Sequence, residues 1–241
     1  MNTIPRIKET PGLPPALPLR TQNVRKDQIE ARTKPIPEHY PITPERIGEP
    51  VIVIRQQGPK PYLAAVLPEC TTSIVEITVV EADAGHLLPI TFFRAQWLSK
   101  CKTTVLENLR VVKHLLDKGW TKDQILYASG FSVGLVNSYV TVAQKFSPEF
   151  LTKMFETGSK VPMTALLEIK HFPLSHHEEL WDYLVATGVE VEQWSKFLIA
   201  LRDHIGIHVP HGQGPTIYPK GGIILPQGDD LAGLITSVVP T

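Results

Sequence analysis

Residues 121–141, TKDQILYASGFSVGLVNSYVT, have the spacing in this chain that points to a specific chemistry, the reading of base edges in duplex DNA. A helix entering the major groove needs short side chains for close approach, and amides and hydroxyls that exchange hydrogen bonds with bases. Ser132, Val133, Asn137, Ser138 and Thr141 offer such a face at the second of two short helices, and they are the expected base-reading set. Lys118, Lys122, Gln144, Lys145 and Lys160 precede and follow them in sequence. These are the expected phosphate contacts, which position a helix without reading sequence.

The elements that must position these residues follow from capping and periodicity. Thr121 caps a short helix that turns Ile125, Leu126 and Ala128 inward. Gly130 sits where the chain must bend sharply, and a residue without Cβ accepts the φ that such a turn needs. Ser132 caps the second helix, whose inward stripe is Leu135, Val136 and Tyr139. Upstream, residues 104–118 predict an amphipathic helix through Leu106, Leu109, Val112, Leu115 and Leu116, stopped by Gly119. Downstream, Ser147 and Pro148 open a helix that Gly158 closes, and residues 161–170 begin another. A purely structural helical hairpin is the alternative for the same residues.

The succession resembles a known family. A leader helix runs into KGWTKDQILYASGFS at 118–132, VAQKFSPEF follows at 142–150, and GSKVPMTALL at 158–167. In order and spacing these residues look like the central DNA-binding domain of the ParB/KorB partition-protein family, over roughly residues 98 to 200. The resemblance implies a helix-turn-helix, double-stranded DNA as partner, and a role in plasmid or mobile-element partition or in transcriptional regulation. That family also carries a Gly-Glu-Arg-Arg box that cradles CTP phosphates. The nearest run here, TFFRAQW at 91–97, has one Arg and no Gly-Glu context, so CTP is not carried over and no cofactor is expected.

Charge and composition narrow the alternatives. Formal net charge is zero, which argues against a blanket polycation. Residues 98–175 hold ten Lys and Arg against six Asp and Glu, whereas residues 176–205 hold two against six. A basic region followed by an acidic one suits a protein that touches phosphate on one side. Cys70 and Cys101 are too few for a disulfide framework or a zinc site. No signal peptide and no membrane span are expected, so the expected address is cytoplasmic, associated with nucleoid or plasmid. His204, His208 and His211 lie close in sequence, but Pro210 and Gly212 leave no regular element to aim them at a metal. GQGP at 212–215 and KGG at 220–222 do not link a strand to a helix, so neither is a phosphate loop. A ParB-like nuclease or nucleotide hydrolase would have only Glu69, Glu76, Glu81 and Asp83 in the β-rich segment to draw on, and no enzymatic activity is expected.

The expected fold is mainly α: a helix-turn-helix multi-helix bundle with a small N-terminal β-containing module and a disordered N-terminal arm. Residues 1–48 are Pro-rich and read as the arm, a linker or a docking segment for a protein partner. Residues 49–97 read as the β-containing module, with strands at 51–54 and 74–80 and a connection at 85–90. Residues 98–205 form the helical domain, including a pair of helices at 176–204 that reads as core or as a homodimer surface. Residues 206–241 read as an extended tail with short strands at 222–225 and 231–239. A scaffold that binds proteins through its two ends, without DNA, is the third reading of the chain.

Overall fold

A computed structural model describes residues 20–47, 50–67, 69–98, 103–157, 160–210 and 215–238. The chain divides into two compact units, with the border between Asn137 and Ser138.

The first unit is built on a five-stranded sheet in the order β1-β5-β3-β4-β2. Its strands are β1 (Arg20–Arg25), β2 (Ile29–Ala31), β3 (Val51–Arg55), β4 (Tyr62–Ala64) and β5 (Ile74–Val80). β5 runs antiparallel to β1 and parallel to β3, and β4 runs antiparallel to β3 and parallel to β2. β1 and β2 hold opposite edges, yet only the 3-10 turn Lys26–Gln28 joins them. A flat sheet would set its edges about 19 Å apart, whereas four residue steps reach about 14 Å. The sheet must therefore curl toward closure, and Gln22 Nε2 on β1 donates to Tyr62 Oη on β4 at 2.7 Å across it. Ile29, Val51, Val53, Ala64, Val75, Ile77 and Val79 fill one face. Ile52 and Ile54 are buried on the other face as well, which is why β3 reads as an unbroken apolar run and not as an alternation.

Four helices complete this unit: α1 (Pro44–Ile47), α2 (Leu87–Leu98), α3 (Val105–Asp117) and α4 (Lys122–Ser129). A further helix, α5 (Val133–Lys145), carries the border. α3 begins at a full capping box between Thr104 and Glu107. The same Glu107 carboxylate accepts from Arg46 Nη1 at 3.0 Å. Burial works to raise the Glu107 pKa, but the hydrogen bonds from Arg46 and from the Thr104 backbone outweigh it and hold the carboxyl below its usual value.

The second unit contains α6 (Pro148–Thr157), α7 (Met163–Ile169), α8 (His177–Ala186), α9 (Trp194–His204) and α10 (Gly228–Val238). A chain of rings forms its centre: Phe146 to Phe150 at 5.0 Å, Phe150 to Trp181 at 5.9 Å, and Trp181 to Trp194 at 5.4 Å, all edge-on. His177 packs on Phe146 and Phe150, with Nε2 2.9 Å from the Phe172 carbonyl. α7 and α9 are joined by a half-buried pair, Arg202 Nη1 to Glu168 Oε2 at 2.7 Å.

Several sequence expectations are corrected here. Helix dominates the described residues, but the sheet is a main layer of the first unit and not a small module. The expected disordered arm fails for residues 20–47, which supply two strands, a 3-10 turn and α1. β1 is polar and β2 is only three residues long, so neither carries the apolar run that marks a central strand. The Pro-rich residues 1–19 lie outside the described residues. The connection expected at 85–90 is a 3-10 turn followed by α2, which is buried on nearly every side from Leu87 to Ala95 and so has no amphipathic stripe to read. The extended tail is corrected too: residues 228–238 form α10 where a strand was expected. Leu231, Leu234, Ile235 and Val238 recur at helical spacing, and Asp229 and Asp230 favour the positive end of the helix dipole. No strand forms at 222–225.

Candidate nucleic-acid interface

The interface is assembled from the turn outward. Thr121 and Gln124 form a second capping box at the start of α4, with Gln124 N donating to Thr121 Oγ1 at 3.3 Å and Thr121 N to Gln124 Oε1 at 2.8 Å. Ile125 and Ala128 are fully buried and Leu126 is half-buried. Gly130 ends α4 at φ 66° and ψ 13°, the left-handed region, and its N–H donates to the Leu126 carbonyl at 3.0 Å. Ser129 Oγ donates to Leu126 O and accepts from Phe131 N, so the bend is tied from both sides. Phe131 is buried edge-on to Phe93 on α2, with ring centroids 5.4 Å apart. Ser132 Oγ then accepts from Leu135 N at 3.3 Å, which caps α5.

Two side chains outside the expected set fix α4 in place. Arg94 on α2 is 7% exposed and donates from Nη2 to Tyr127 O at 2.8 Å and from Nε to Ala128 O at 3.4 Å. These carbonyls end α4, where the helix dipole is negative and a guanidinium is favoured. Tyr127 Oη donates to the Glu81 carbonyl just beyond β5 at 2.7 Å, and burial raises its pKa. The signal for Arg94 was present in the sequence, as a lone cation inside an apolar run, where burial requires a partner.

α5 presents two faces. Val136, Tyr139, Val142 and Ala143 are buried, and Leu135 is half-buried. On the other side Ser132, Val133, Gly134 and Asn137 are exposed, Val133 at 51%. Ser138 and Thr141 are half-buried. The oxygen of Ser132 is already engaged as the cap. Lys145 is the charged residue of α5, at its last position, so no carboxylate stands on the helix. Gly134 has an ordinary helical backbone, and a Cβ placed there would meet nothing within 4 Å. A glycine in mid-helix costs roughly 0.5–1 kcal/mol against alanine.

The expected phosphate residues are all exposed: Lys118 at the end of α3, Lys122 opening α4, Gln144 and Lys145 closing α5, and Lys160 ahead of α7. Lys113 is paired with Asp117 on α3 and Lys153 with Asp182 on α8, so those two cations have acidic neighbours. Among the described residues, no group of three His, Cys, Asp or Glu could hold a metal. His208 makes an isolated bridge with Ile217, and His211 lies outside the described residues. No helix among them is long and apolar enough to cross a membrane.

No family model and no curated protein matches the chain. Among solved structures, it is similar to C-terminally truncated chromosome-partitioning protein ParB from Caulobacter crescentus complexed to the centromeric parS site. That match has 15% identity and a TM-score of 0.47, and covers 74% of this chain and 98% of the other. It is also similar to the same protein complexed with CTP-gamma-S, at 14% identity and a TM-score of 0.26, covering 66% of this chain and 98% of the other.

Proposed function

We propose that this chain binds double-stranded DNA through the first turns of α5, as a helix-turn-helix protein of the ParB/KorB kind acting in partition or transcriptional regulation. The observation that carries the reading is the exposed face of α5. Val133, Gly134 and Asn137 stand outward on a helix without carboxylates, set by a left-handed glycine turn and by Arg94 behind it. A recognition helix needs short, uncharged or hydrogen-bonding side chains at its N-terminal end and a rigid support. Ser138 and Thr141 extend the reading set along the same helix. Lys118, Lys122, Gln144, Lys145 and Lys160 act on phosphate. A homodimer would present two such helices to a pseudo-palindromic site, as paired half-sites require.

The test separates the two kinds of contact. Asn137→Ala lowers the preference for a selected site over random DNA by roughly tenfold, within the 1–3 kcal/mol typical of a bidentate base contact. Lys145→Ala weakens binding to every duplex and reduces the dependence on salt concentration by about one phosphate equivalent. Gel shifts of both variants across a salt series read this directly. Equal losses on selected and random DNA for both variants would refute the division of roles.

A further inference from the structure

We infer that the first two turns of α5 read A·T pairs, with Val133 against the C5 methyl of thymine and Asn137 on the N6/N7 edge of adenine. The inference rests on the DNA-binding reading and names the bases that reading leaves open. Each base edge in the major groove has its preferred side chain: guanine takes Arg or Lys, cytosine takes Asp or Glu, adenine takes Asn or Gln, and the thymine methyl takes an apolar group. From Val133 to Gln144, α5 holds no Arg or Lys for guanine and no Asp or Glu for cytosine. Asn137 is exposed. Val133 leaves 51% of its surface open, a large exposure for an apolar side chain.

Position agrees with chemistry. Val133 and Asn137 are four residues apart on one helix face, about 6 Å along the axis, so they meet base pairs no more than about two steps apart. Gly134 lies beside Val133, and the fold would accommodate a Cβ there. A methyl added at Gly134 would therefore meet no atom of the chain and would stand between the helix and the bases.

The experiment uses the full chain. Bound duplexes are selected from a random pool, and one selected duplex is rebuilt with single-atom changes. We expect the selected sites to share A·T pairs at neighbouring positions. Replacing the contacted thymine by uracil removes the methyl, weakening the parent chain roughly fivefold and leaving Val133→Ala unchanged. Replacing the contacted adenine by 7-deazaadenine removes the N7 acceptor, weakening the parent roughly tenfold and leaving Asn137→Ala unchanged. Gly134→Ala, with helix content confirmed by circular dichroism, weakens binding without loss of fold. Selected sites with G·C at these positions, or analogue effects as large in the variants as in the parent, would overturn the inference while DNA binding stands. Failure to retain any duplex at low salt would overturn it together with the reading beneath it.

Discussion

The two compact units are held together in different ways. In the first, distant segments meet through specific polar links: Gln22 with Tyr62, Arg46 with Glu107, Tyr127 with the Glu81 carbonyl, and Arg94 with the end of α4. In the second, a chain of edge-on rings from Phe146 to Trp194 links α6, α8 and α9, beside the polar links Arg202 with Glu168 and Tyr183 with the Pro226 carbonyl. Directional bonds hold a surface element at a set angle, whereas ring packing supplies bulk stability through area removed from water. In the candidate interface these hydrogen bonds hold α4 together with the burial of Ile125, Ala128 and Phe131, and the bonds set its angle.

That contrast can be tested by how each unit fails. Trp181 is 1% exposed between Phe150 and Trp194, and Trp181→Ala should cost about 3–5 kcal/mol by opening a cavity. Urea denaturation followed by tryptophan emission would measure it; a loss below 1 kcal/mol would show that the rings are not the centre of the second unit. Arg94→Met keeps much of the apolar stem but strands the Tyr127 and Ala128 carbonyls. It should cost about 2–3 kcal/mol, the range for hydrogen bonds from a charged donor. Amide exchange should then quicken within α4 before it does in α3. Uniform exchange across both helices would break the argument that Arg94 fixes α4.

A smaller comparison uses one tyrosine from each unit. Tyr127→Phe loses the bond to Glu81 O, and Tyr183→Phe loses the bond to Pro226 O, each worth about 1 kcal/mol in unfolding free energy. Under the proposed function, Tyr127→Phe should also weaken DNA binding, because it loosens α4, while Tyr183→Phe should not. The smallest effect at neutral pH comes from histidine. Desolvation lowers His39 to about 4, helped by His114, Arg110 and Lys118, and lowers His171 to about 4, helped by Lys170 and Arg202. Between about pH 6.5 and pH 4 the unfolded chain binds protons that the folded chain refuses, so stability is full above this window and falls as pH falls through it. His39→Phe and His171→Phe should each flatten the pH dependence of unfolding, one probe in each unit. A slope unchanged by either variant would remove that ring from the account.

Much of the helical part was legible from local signals. Thr121, Ser132 and Ser147 each cap the helix expected of them, and Gly130 takes the left-handed conformation expected at the bend. The exposed positions Val133 and Asn137 follow from the buried stripe of Val136 and Tyr139 on the same helix. β3 and β5 were legible as β-branched runs. β1 and β2 were not, because β1 is polar, β2 is three residues long, and their pairing partners lie tens of residues away.

The sequence by itself determined the starts of α4, α5 and α6 and the outward placement of Ser132, Val133 and Asn137 on α5. Caps, glycines and a 3.6-residue period act within a few residues and need no knowledge of the rest of the chain. Only the tertiary structure decided that residues 20–31 form both edges of the sheet, that α2 is buried from Leu87 to Ala95, and that Arg94 holds the end of α4. Each of these depends on a partner far away in sequence. The reward for such a contact, a paired carbonyl or a dehydrated face, exists only once the chain has folded back on itself.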